Sequence, residues 1–309
     1  MSQLTVEDLR GDPRRQRTEK GVHIALWCAG FFSVVVSALI IGSLFREAWT
    51  FITEVDWSTV IGPDAAGWFP RRGQYGIMTL IVGSLIVTVI AMLIGAPLGL
   101  ATAIYLSEYA KPRVRRVLKP AIEVLAGIPS VVIGFFALTF IAPELIQKIW
   151  EGTPQQTMMA AGVGVGVMII PIIASISEDA MASVPDALRE ASYGMGARKI
   201  TTVLRVVLPA SVSGLVASFI IAISRAMGET MVVFIAAGKS GGSLFETNPL
   251  EPGLTMTAGM ASLASGTDSV VGEGLTFQSL FFVGLVLFAI TMTLNLFADR
   301  FVRRVRQKY

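Results

Sequence analysis

"GIMTLIVGSLIVTVIAMLIGAPLGLATAIYL", residues 76–106, runs for 31 residues without a charged side chain. The hydrocarbon core of a bilayer is about 30 Å thick, and roughly 17–25 mostly apolar helical residues cross it. The run does not alternate as a barrel strand would. In lipid only helices or closed barrels bond every backbone group, so the stretch reads as a transmembrane helix. Five more such runs lie at about 21–45, 120–143, 158–177, 214–238 and 276–298. The expected fold class is all-α, a polytopic membrane protein of six transmembrane helices. Composition agrees: 53% of residues are hydrophobic and 15% charged.

Basic residues set the expected orientation. With both termini in the cytoplasm and the spans alternating, inside segments hold 19 of the 25 Lys and Arg residues. Five lie outside (Arg46, Arg71, Arg72, Lys148, Lys239), and Arg225 sits within a run. That bias is the positive-inside pattern. The net charge of +3 therefore reads as basic flanks held at an anionic inner leaflet, with membrane lipid as a partner and no nucleic acid. The first run is long for a signal peptide and no small-x-small cleavage site follows it, so it reads as a retained span. Residues 1–20 form a polar inner tail, 46–75 an outside loop, 76–300 the core and 301–309 a basic inner tail. Trp49, Trp57 and Trp68 in the outside loop suit a membrane interface.

Pro97, between Gly95 and Gly99, predicts a kink or loosening in the second span. Pro129 opens the third near its first turn, where proline is tolerated. Gly162 and Gly166 form a small-xxx-small pair that lets helices approach closely.

Enzyme chemistry finds no foothold, and no catalytic residue is assigned. One histidine and one cysteine, His23 and Cys28, make no zinc-type cluster, and no metal site is expected. "GKS" at 238–240 lacks the first glycine of a phosphate loop. Of the carboxylates in the runs, Glu123 reaches water at the edge and is given no role.

Arg225 and Glu229 lie deep in the fifth run, where a charge costs roughly 2.5–3.5 kcal/mol on insertion scales. At i, i+4 they share a helix face. Two readings stay open: mutual neutralisation at a helix contact, or a forked donor for an oxyanion in transit with a tethered counter-charge beside it. Thr230 adds a hydroxyl there.

The longest inner segment, about 178–213, is amphipathic and carries two short helices. Pro185 and Asp186 suit a helix start. Gly194 and Gly196 interrupt the helix, and Pro209 is expected to stop the next. Glu190, Ala191 and Ser192, then Gly196, then Val206, Leu208 and Pro209 fall at the spacings of E-A-A-x3-G-x9-I-x-L-P. This resembles permease subunits of binding-protein-dependent ABC importers, with serine for the second alanine and valine for isoleucine. "LAGIPSVVIGFFAL" (125–138) and "SRAMGETMVVFIAAG" (224–238) are similar to the phosphate-specific members, and Met231 resembles the C-type subunit more than the A-type.

The resemblance covers about residues 76–300 and implies a MetI-like type I importer core in a bacterial plasma membrane. It implies a substrate path through Arg225 and Glu229, and ATPase coupling through Glu190, Ala191, Ser192, Gly196, Val206, Leu208 and Pro209. Glu190 would brace the coupling turn. The implied partners are an A-type phosphate permease, two ATP-binding subunits that carry the ATP and magnesium, and an extracytoplasmic phosphate-binding protein. This chain would hold no cofactor. Molybdate, tungstate or sulfate is the alternative cargo, and a membrane scaffold or sensor the alternative role.

Overall fold

The computed structural model describes residues 13–62, 65, 67–238, 242–265 and 274–305. The readings placed on residues 1–12, Pro63, Lys239, Ser240 and 306–309 lie outside these. Among the described residues, six helical spans are long and apolar enough to cross a membrane: Thr18–Glu54, Ile77–Tyr109, Ser130–Ile149, Met158–Ala182, Lys199–Met227 and Thr276–Arg304.

The first helix, α1 (Pro13–Glu54), has 42 residues, about 63 Å at 1.5 Å per residue. It outruns the bilayer, so residues 46–54 are helix rather than loop. The most apolar stretch of its span has no buried residue, as expected of a helix facing lipid. Its end buries Ala48 and Phe51.

Beyond it a small cap folds from β1 (Gly67–Phe69), β2 (Gln74–Tyr75) and β3 (Ser243–Leu244), antiparallel in the order β2-β1-β3. Trp68 is 1% exposed inside this cap, so it is a core residue, in contrast to the interfacial reading. Trp49 and Trp57 do remain exposed.

The second span is α2 (Ile77–Ile104) continued by a π-turn, Tyr105–Tyr109. Pro97 lies inside α2 without interrupting the helix. Then come α3 (Pro112–Ala126), α4 (Ser130–Phe136), a π-turn over Ala137–Ile146 and α5 (Gln147–Ile149). The expected third span, 120–143, merged two helices. Gly127 to Pro129 separate amphipathic α3, with its basic Arg113, Arg115, Arg116 and Lys119, from the apolar α4.

The central helix is α6 (Met158–Ala182). It packs on α2 along a glycine seam. A Cβ at Gly95 would lie 2.5 Å from Ile169 Cγ1, and one at Gly162 2.7 Å from Ile90 Cβ. The paired small residues thus permit a backbone approach that larger ones would block.

The inner segment holds α7 (Asp186–Gly194) and α8 (Lys199–Thr202), then a π-turn over Val203–Val207, then α9 (Leu208–Met227). Pro209 was expected to stop the helix, but Lys199 to Met227 run as one span. The π-turn places the Leu208 amide on Val203 O. The widened turn makes room where the proline ring would otherwise meet the carbonyl one turn back. The fifth span also ends early. Gly228 caps α9 and a separate α10 (Met231–Ala236) follows. The chain continues through β3 to α11 (Met256–Ala264) and α12 (Thr276–Val305).

Candidate functional site: an arginine at a helix break and a coupling turn

Arg225 and Glu229 are brought together. Arg225 Nη1 lies 2.9 Å from Glu229 Oε2, with the arginine side chain 45% exposed and the glutamate 2%. They do not share a continuous helix, as the sequence spacing implied. Arg225 is in the last turn of α9 and Glu229 in the break before α10.

The break itself explains why Glu229 stays put. A new helix begins with amides that lack intrahelical acceptors. Glu229 Oε1 accepts from Met231 N at 3.1 Å and Val232 N at 3.3 Å. The Thr257 hydroxyl, from α11, donates to Glu229 O at 2.6 Å. One carboxylate oxygen is thus committed to capping α10. The other, Oε2, is left to the ion pair with Arg225 alone.

Arg225 is therefore neutralised without being saturated. Its Nη2 approaches Met168 Sδ on α6 at 3.7 Å. Met168 also lines an apolar cavity of about 400 Å³ with Val132, Ile133, Phe136 and Pro171. Charges act more strongly beside such walls than in water. Thr230 does not join the pair; its hydroxyl turns to Gly228 O at 3.4 Å.

Of the two short inner helices expected, α7 is separate, whereas α8 opens the fifth span, Lys199–Met227, and a turn at Met195–Arg198 joins them. Pro185 precedes α7, and Gly196 adopts φ +77°, a left-handed conformation that glycine takes without penalty. Ser192 Oγ and Thr202 Oγ1 lie 2.9 Å apart across the turn. Glu190 and Ala191 face solvent on α7, while Val206, Leu208 and Pro209 lie on the following span. The neighbour of Glu190, Arg189, ties the start of α7 to the ends of α6 and the second span rather than to that turn. Arg189 Nη2 donates to Glu108 Oε1 at 3.0 Å and Met181 O at 2.8 Å, and Nη1 to Val184 O at 2.6 Å.

A second cluster went unread in the sequence. Glu178 has a fully buried side chain and binds Arg115 and Lys119, the latter at 2.6 Å. Lys119 also meets Asp179. Burial pulls Lys119 down, but hydrogen bonds to Asp179 and Glu178 and their charges outweigh it and hold its pKa above the usual lysine value. The available signal was a carboxylate directly after an apolar run, facing the basic segment 111–119. Among the described residues, no group of three or more His, Cys, Asp or Glu could hold a metal ion.

Residues 95–308 match the binding-protein-dependent transport system inner membrane component family. The chain belongs to that family. This permease is 31% identical over 306 residues to the phosphate transport system permease protein PstC of Mesorhizobium japonicum, covering 93% of this chain and 91% of that one. It is 32% identical to PstC 1 of Mycobacterium tuberculosis over 85% of this chain and 84% of that one. The probable ABC transporter permease protein YqgH of Bacillus subtilis is 40% identical, over 60% of this chain and 59% of its own length; that match spans less than two thirds of the relative. Among solved structures, a bacterial ABC transporter for alginate import superposes with a TM-score of 0.63 at 16% identity, covering 94% of this chain and all of that one. The MetNI methionine ABC transporter in an inward-facing conformation gives 0.52 at 20% identity, over 78% and 97%. These confirm the MetI-like importer fold. The permease is a multi-pass bacterial inner-membrane protein.

Proposed function

We propose that this chain is the C-type transmembrane permease subunit of an ATP-driven phosphate importer. The observation that carries the reading is Arg225: a half-exposed guanidinium deep in an apolar run, with its counter-charge fixed by a separate duty at α10. A planar fork suits the oxygens of an oxyanion. A tethered carboxylate close by keeps that anion from being trapped, and conduction needs a site that also releases. The PstC names of relatives that align along most of the chain favour phosphate among oxyanions.

In this reading an A-type permease completes the path, and a relative named PstA 1 from Mycobacterium tuberculosis is 32% identical over 68% of this chain. Two ATP-binding subunits carry ATP and magnesium at the coupling turn. An extracytoplasmic phosphate-binding protein delivers the anion. Both termini face the cytoplasm, as the bias of basic residues supports.

ATP-dependent uptake of radiolabelled phosphate by the assembled complex in liposomes tests this. Phosphate uptake that excess sulfate and molybdate do not suppress is the expected result. Uptake of sulfate or molybdate in place of phosphate would overturn the cargo.

A further inference from the structure

Glu108, Arg189, Glu178 and Lys119 are charged groups mostly withdrawn from solvent at the inner ends of the spans, with no part in the anion path, and two contacts single out one element among them. The π-turn Tyr105–Tyr109 ends the second span, closed by Ala110 N on Tyr105 O at 2.7 Å. Both limbs of the coupling turn hold it. From α7, Arg189 reaches Glu108 at 3.0 Å; the side chains are 14% and 4% exposed. From α8, Lys199 Nζ stands 5.0 Å from the centre of the Tyr109 ring. Glu108 and Tyr109 are consecutive residues gripped from opposite limbs.

We infer that Arg189 and Lys199 clamp the inner end of the second span, making Arg189 and Glu108 positioning residues that deliver movement of the coupling turn to α2; this rests on the importer reading above. A buried ion pair is weak evidence for stability, since desolvation offsets its attraction. Its geometry is what distinguishes it. Arg189 is fixed at once by Glu108, Asp186, Met181 O and Val184 O, and Ser107 Oγ orients Glu108 at 3.1 Å. A side chain tied at that many points cannot yield when α7 is displaced, so the load passes to the π-turn.

From there the route is close packing. Gly99 of α2 lies so near Ile173 of α6 that an added Cβ would stand 2.7 Å from Ile173 Cβ. Interiors packed this tightly transmit displacement rather than absorb it. On the same helix α6, Met168 touches Arg225 at 3.7 Å. A continuous line of close contacts thus joins the proposed ATPase dock to the wall beside the anion's arginine.

The test uses the whole complex in liposomes with Cys28→Ser, spin labels at Ala187→Cys on α7 and Lys111→Cys beyond the π-turn, and uptake measured per ATP hydrolysed. With Glu108 and Arg189 intact, the label distance should be the same without nucleotide and with trapped ATP. Glu108→Gln should retain the ATPase subunits and ATP hydrolysis, broaden that distance, and lower phosphate uptake per ATP by about tenfold. Glu108→Gln combined with Arg189→Gln should fall no further than Arg189→Gln alone, as expected of one shared interaction. An unchanged distance and coupling ratio in Glu108→Gln, loss of its ATPase subunits, or multiplied effects in the double variant would each overturn the clamp. The distance needs no cargo. If Glu108→Gln loosens it in a complex that takes up no phosphate, the cargo reading fails and the clamp stands.

Discussion

Arg225 and Glu229 face each other at 2.9 Å across a break in the fifth span, and the glutamate, not the arginine, is the one sealed in. The arrangement divides the labour of the pair. Glu229 belongs to the scaffold, because its other oxygen caps α10. Arg225 belongs to the space it borders.

Substitutions of Glu229 should separate those duties. Glu229→Gln keeps an oxygen for the α10 amides and removes the counter-charge. Uptake should then show a lower KM and a lower kcat, because the anion is held more tightly and leaves more slowly. Glu229→Ala removes the cap as well and should lower stability by about 1 kcal/mol more, read as thermal unfolding in detergent. A raised KM in Glu229→Gln would show that the carboxylate helps hold the anion.

Gly196 tests the turn. It has φ +77° and nothing within 4 Å of where a Cβ would stand. Any penalty is therefore conformational, about 1 kcal/mol for a side chain held in this region. Gly196→Ala should weaken recovery of the ATPase subunits on co-purification, and Gly196→Asn, which tolerates the conformation, should restore most of it. Equal loss in both would place the effect in a contact with the partner instead.

The seam between α2 and α6 should tolerate no bulk. A Cβ at Gly162 falls 2.7 Å from Ile90 Cβ, so Gly162→Val should destabilise the permease by about 1–3 kcal/mol. Thermal unfolding of the purified protein measures this, and an unchanged midpoint would mean the helices are less closely apposed.

Glu178 anchors α3 through Arg115 and Lys119. Both cations are partly exposed and can turn to water, so Glu178→Gln should cost about 1–2 kcal/mol, below the cost of a fully buried orphan charge. The folded pKa of Lys119 is raised, so its contribution is fully present below the usual lysine value and lost only as pH rises through the folded one. The deficit of Glu178→Gln in thermal unfolding should therefore stay constant over roughly pH 6–9. A deficit that vanishes within that window would contradict the assignment.

The spans were legible because lipid imposes length and apolarity directly on composition. The turn after α7 was legible because Gly196 and Pro185 are local backbone signals. What escaped was set by tertiary geometry. The break at Gly228 to Thr230 is invisible to a hydropathy window, since the chain stays apolar on both sides. The division at Gly127 to Pro129 was averaged away within 120–143. Pro209 read as a stop because nothing local announces the π-turn that accommodates it. Glu178, Glu108 and Arg189 carry no local signal of burial, and only the packing of α3, α6 and α7 shows them held against partners from distant segments.

The most direct test is ATP-dependent phosphate uptake by the reconstituted complex, with Arg225 intact and as Arg225→Gln. The account predicts that the variant loses uptake by at least about a hundredfold, the loss of one strong charge-assisted contact, while every subunit still co-purifies. Equal uptake in both would reduce Arg225 and Glu229 to a brace between α9 and α10 and contradict an anion path through the arginine.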